Sequence, residues 1–98
     1  MGLASVAIQV LPMDKGKDEV VAIVDEAIAY IKGFGLNTTV GPFETTVEGD
    51  YETLMEIVTG VSQIALKAGA GEVMTYVKIC VAQGDVLTIE KKTAKHQD

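Results

Sequence analysis

The sequence predicts an α+β domain in which strands and helices follow one another as β-α-β-β-α-β, and three patterns carry that prediction. A period of two runs from Leu3 to Leu11. A helical period replaces it between Asp18 and Lys32. A second helical stripe then separates two short threonine-rich runs from a long alternating segment, Glu72 to about Gln83.

In the first segment Ala4, Val6, Ile8 and Val10 share one face, and Leu3, Ser5, Ala7, Gln9 and Leu11 share the other. That is a strand with one apolar and one mixed side. Pro12 closes it, because proline cannot donate to a sheet ladder. Val20, Val24, Ala27, Ile28 and Ile31 form the stripe of the first helix. Asp18 and Glu19 suit its positive N-terminal end, and Gly33 or Gly35 supplies a stop.

Asn37 to Val40 and Phe43 to Glu48 read as a hairpin turned at Gly41-Pro42. Gly49-Asp50 opens the second helix with Asp50 as N-cap. Its stripe is Leu54, Ile57, Val58, Val61, Ile64, Ala65 and Ala68, and Gly69 and Gly71 end it. The last strand sets Val73, Thr75, Val77, Ile79 and Val81 against Met74, Tyr76, Lys78, Cys80 and Ala82. After Gly84-Asp85, the stretch from Val86 to Lys95 fits either a short helix capped by Thr88 or a brief strand from Val86 to Glu90; the helix is favoured. This order is the split βαβ arrangement of ferredoxin-like domains. It implies a four-stranded antiparallel sheet with two helices on one face, where both helical stripes are hidden. Residues 1–98 are read as one such domain.

The charge narrows the function. Fourteen acidic residues against 8 basic ones give a net charge of −6, which argues against nucleic-acid and anionic-membrane partners. Base-stacking domains of this fold also need aromatics on the two central strands, where this chain offers Ser5, Ala7, Gln9, Thr46 and Glu48. Cys80 is the one cysteine, so no internal disulfide forms and a cytoplasmic location is expected. Met1 to Met13 has no basic leader and reads as strand rather than signal peptide. No apolar run approaches the roughly 20 residues that span a bilayer. His96 is the single histidine and sits in the polar tail, so no nucleophilic triad is expected, nor a metal site.

The helix-free face of the sheet is where function is expected. Alternation turns Ser5, Ala7, Gln9, Thr46, Glu48, Met74, Tyr76, Lys78 and Cys80 outward, and Thr45 inward beside Val47. This mixture of small apolar and hydrogen-bonding groups suits a ligand cradle or a sheet-to-sheet interface. Glu48 is placed to accept from an exocyclic amine, and Tyr76 to stack on a flat ring or on a second copy.

The segment Gly41-Pro-Phe-Glu-Thr-Thr-Val-Glu-Gly49, Pro12 at the end of the first strand, and Leu87-Thr-Ile-Glu-Lys-Lys92 together resemble the YkoF-like thiamine-binding family of small ferredoxin-like proteins. The likeness runs along nearly the whole chain. It implies sheet-to-sheet dimers or tetramers, and non-enzymatic binding of thiamine or hydroxymethylpyrimidine as a ligand, with no other cofactor. Carried onto this chain, it marks Thr45, Thr46 and Glu48 as ligand contacts, with Ser5 at the polar position of the first strand; Tyr76 joins them from its place on the open face. A ligand role for Thr45 requires the hairpin to twist or bulge there. Two other classes remain: an oligomerising domain with no small-molecule ligand, and a small enzyme using Glu48 as a base.

Overall fold

The computed structural model describes residues 2–96; Met1 and the last two residues of the polar tail lie outside the described residues. The elements are β1 (Leu3–Pro12), α1 (Lys17–Lys32), β2 (Asn37–Val40), β3 (Thr45–Asp50), α2 (Tyr51–Lys67), β4 (Val73–Cys80) and α3 (Ile89–Thr93), followed by a single 3₁₀ turn at Ala94–His96. All pairings are antiparallel, in the order β2-β3-β1-β4. This is the expected ferredoxin-like sheet. The expected helix-free face, however, is not wholly free, because α3 returns across part of it.

Side-chain alternation sorts β1 as its sequence indicates. Ala4, Val6 and Ile8 are buried beneath the helices, together with Val47 from β3. Leu54, Ile57, Val61 and Ala65 of α2 complete the core with Ile23, Ala27 and Ile31 of α1. Burying a Val, Leu or Ile side chain contributes about 1.5–3 kcal/mol, so this layer is what holds the sheet flat against its helices. The α1 stripe is turned from the expected one. Ile23 is in the core, while Val20, Val24 and Ile28 are half-buried. They line a hollow of about 220 Å³ beneath the β2–β3 turn.

Two boundaries differ from the sequence reading, each for a local reason. β3 begins at Thr45 rather than Phe43 because Gly41 N–H donates to the Glu44 carbonyl at 2.9 Å. This closes a four-residue turn that takes up Phe43 and Glu44. β4 stops at Cys80 rather than Gln83 because β1 finds other partners at its start. Leu3 N–H donates to the Asp85 carboxylate at 2.5 Å, and the Leu3 carbonyl accepts from Val86 N–H at 3.0 Å. The chain turns at Gly84-Asp85 and carries α3 back over the sheet.

The caps follow the expected chemistry. The Asp50 carboxylate accepts from both the amide and the hydroxyl of Thr53, at 3.1 and 2.8 Å. Thr88 accepts from Lys91 N–H at 3.1 Å, so the helical alternative holds for the C-terminal stretch. Gly35 and Gly69, at φ of 70° and 120°, take the left-handed backbone that lets the chain leave each helix.

Candidate functional site

Strand register arranges the helix-free face in lateral rows. One row reads Asn37, Glu48, Ser5 and Cys80 across β2, β3, β1 and β4; the next reads Thr39, Thr46, Ala7 and Lys78. Neighbours within a row stand close enough to act on one ligand or on each other.

Over the first row lies α3. The Glu48 carboxylate accepts from the Asn37 side-chain amide at 2.5 Å with one oxygen and from the Ile89 backbone N–H at 2.9 Å with the other. Glu48 is consequently buried, at 8% exposure. It is neither a solvated strand-end acid nor a group facing a vacant surface. Its bond fixes the first residue of α3 to the sheet, and Val86, also 8% exposed, anchors the strap just before it.

The strap makes a wall. Ile89, Lys92 and Thr93, spaced i, i+3 and i+4, occupy one side of α3 and face a cleft of about 350 Å³. Ser5 and Ala7 of β1, Thr46 of β3, Lys78 and Cys80 of β4, Thr39 of β2 and Glu44 of the β2–β3 turn also line it. Lys78 Nζ stands 3.0 and 3.2 Å from the two Glu44 carboxylate oxygens. The cleft is at the small end of the range for ligand sites, with apolar walls and a few convergent hydroxyls.

The five residues singled out in the sequence are thus dispersed. Ser5 and Thr46 line the cleft. Glu48 adjoins it but points into its own two hydrogen bonds. Thr45 pairs with Ile8 on the helix side, at 5% exposure, and borders the hollow under the β2–β3 turn instead. No bulge brings it across, because the β1–β3 register is unbroken from Leu3 to Ile8. Tyr76 shares the sheet face but pairs with Gln9 one row further on, half exposed and outside the cleft.

Sequence reasoning missed Asn37, Ile89, Lys92 and Thr93. The Thr88 cap and the i, i+3, i+4 spacing were visible signals for α3. Nothing local in the sequence says that α3 folds back onto Glu48. Among the described residues no group of His, Cys, Asp and Glu is arranged to hold a metal ion, and no helix is long and apolar enough to cross a membrane.

The split βαβ sheet with two helices on one face places the chain in the ferredoxin-like α+β class, and solved structures similar to it share that fold. The chain matches the model of the thiamine-binding protein family over residues 6–97 and belongs to that family. A UPF0045 protein of Clostridium perfringens is 37% identical over 97 residues, covering 99% of this chain and 100% of its own length. A Bacillus cereus structure, described as a domain of unknown function (DUF77), superimposes with a TM-score of 0.88 at 35% identity, covering 99% of this chain and 92% of that one. A Thermotoga maritima crystal structure carries a provisional description as a thiamine biosynthesis/salvage protein. Its TM-score is 0.88 at 29% identity, with coverage of 97% of this chain and 99% of that one.

Proposed function

We propose that the chain binds thiamine or its hydroxymethylpyrimidine moiety in the cleft between the sheet and α3, as a carrier, store or sensor, without turning it over. The cleft carries this reading. Its 350 Å³ accommodate a small heterocycle, and the Ser5 and Thr46 hydroxyls can both donate to ring nitrogens and accept from an exocyclic amine. The description of the T. maritima relative points to the same chemistry.

The way Glu48 is used supports binding without catalysis. Each of its oxygens already accepts one N–H donor, and at 8% exposure the carboxylate is turned to the fold rather than to a ligand. A general base must reach the proton it abstracts, and here the carboxylate reaches Asn37 and Ile89 instead.

Calorimetry and thermal unfolding with thiamine and with hydroxymethylpyrimidine test the reading. Ligand at 100 times its Kd adds about 2.7 kcal/mol of stability, which raises Tm by roughly 10–20 °C in a domain of this size. Absence of both heat and shift with either compound refutes binding. A change in the mass of the recovered compound refutes the non-enzymatic half.

Self-association belongs to the same proposal. Met74 and Tyr76 are 45% and 51% exposed on the part of the face that α3 leaves bare, the apolar material of a sheet-to-sheet contact.

A further inference from the structure

We infer that Lys92 makes the cleft selective for a heterocycle bearing an anionic arm, a phosphate monoester, over the same heterocycle as a free alcohol. The inference rests on the reading of the cleft as a heterocycle site and names the form of ligand it takes.

Local charge carries it. The chain as a whole is acidic, at −6, yet the cleft presents two lysines and one glutamate. Glu44 is spoken for by Lys78. Glu48, the next carboxylate along the sheet, is closed off by Asn37 and Ile89. Glu48 keeps its negative charge, but among the described residues the lining of the cleft itself carries no carboxylate besides Glu44. Lys92 is exposed, and its ammonium has no ion-pair partner among the described residues.

Position makes Lys92 more than a surface lysine. The Thr88 cap and the Glu48–Ile89 bond fix the start of α3, and Lys92 follows Ile89 by one helical turn on the cleft side. Lys92 therefore lines the same cleft as Ser5 and Thr46, within which its ammonium and their hydroxyls can act on one ligand. A phosphate needs a cation and several donors, and these three side chains supply both. A cationic ring placed beside Lys92 meets repulsion unless the same ligand also brings a negative charge.

The test is calorimetry on the full chain with four probes: hydroxymethylpyrimidine, its phosphate monoester, thiamine and thiamine monophosphate. Each ester is expected to bind about tenfold more tightly than its alcohol, the usual worth of one charge-assisted contact. The ratio should shrink as salt is raised. Lys92→Met should bring the ester-to-alcohol ratio to about one, while Lys92→Arg keeps it. Equal binding of ester and alcohol by the unaltered chain overturns the inference and leaves the heterocycle reading standing. A Lys92→Met variant that weakens both forms equally overturns it too, because the lysine would then only support the wall. If none of the four probes binds, the heterocycle reading falls and this inference falls with it.

Discussion

Replacing Glu48 should release the C-terminal strap before it disturbs anything else. The carboxylate makes two hydrogen bonds, to the Asn37 amide and to Ile89 N–H, and only the second ties α3 to the sheet. A hydrogen bond to a charged acceptor contributes about 1.5–3 kcal/mol, so Glu48→Ala should raise the opening equilibrium of the strap by roughly one to two decades. Glu48→Gln should do much less. Its carbonyl can still accept from Ile89 N–H, and its amide can donate to Asn37 once the exposed Asn37 side chain turns over. Only the charge assistance is lost, about 1 kcal/mol or less than tenfold. Site-resolved amide exchange reads this directly at Ile89. Because α3 contains no buried residue, the global urea midpoint should move less than the local protection does. Wild-type protection at Ile89 in the alanine variant would refute the latch. So would a glutamine variant that opens as far as the alanine one.

Two further predictions concern the scaffold. Hydrogen bonds from Thr53, first from its hydroxyl and then from its amide, hold the Asp50 carboxyl below its ordinary value of 3.8. Its contribution is therefore present in full above that value and is lost as pH falls through the lower, folded one. Acid titration of α2 stability should show this loss, and Asp50→Asn should remove the pH dependence while keeping the cap; an unaltered acid limb would refute the assignment. At Gly60, where α2 crosses α1, an added methyl would collide with the Tyr30 hydroxyl, whose ring is held edge-on against Phe34 at 5.3 Å. Gly60→Ala gains about 1 kcal/mol of helix propensity but incurs roughly 1–3 kcal/mol of overpacking. Chemical denaturation should show a net loss in the native background and a net gain beside Tyr30→Leu. Stabilisation by Gly60→Ala alone would refute the close crossing.

What the sequence shows and what it conceals divide along local and non-local lines. The alternation of Ala4, Val6, Ile8 and Val10, the Asp50 cap and the threonine-rich hairpin each declare themselves within a few residues, and from them the topology follows. Alternation also turned Thr45 inward, against the ligand role the family resemblance gave it, and the β1–β3 register shows Thr45 facing the helices beside Ile8. The α1 stripe was less legible because Val20, Val24 and Ile28 are as apolar as Ile23; which of them reaches the core depends on how far the helix rolls against α2. Glu48 was legible as an unusual residue and illegible as to purpose. Its partners are Asn37, 11 positions earlier, and Ile89, 41 positions later. No periodicity reports a backbone N–H arriving from that distance.

That distance bears on how the cleft works. Two sides of the cleft come from the sheet, whose residues are hydrogen-bonded to neighbours throughout. The third comes from a five-residue helix with no buried side chain, too short to be stable by itself and held by Val86, the Leu3 contacts and Glu48. The cleft is complete only while this wall is docked. A ligand that touches both floor and wall binds the docked state, and its apparent Kd is the intrinsic value divided by the docked fraction. Linkage then requires such a ligand to protect the strap by the same free energy with which the strap strengthens binding. Glu48 would thus set affinity without touching the ligand. Once opening by Glu48→Ala makes the undocked state dominant, affinity should fall in step with the docked fraction measured at Ile89. A ligand held by the sheet alone would bind the variant as well as the native chain. That result would assign the cleft to Ser5 and Thr46 and leave α3 as a passive cover.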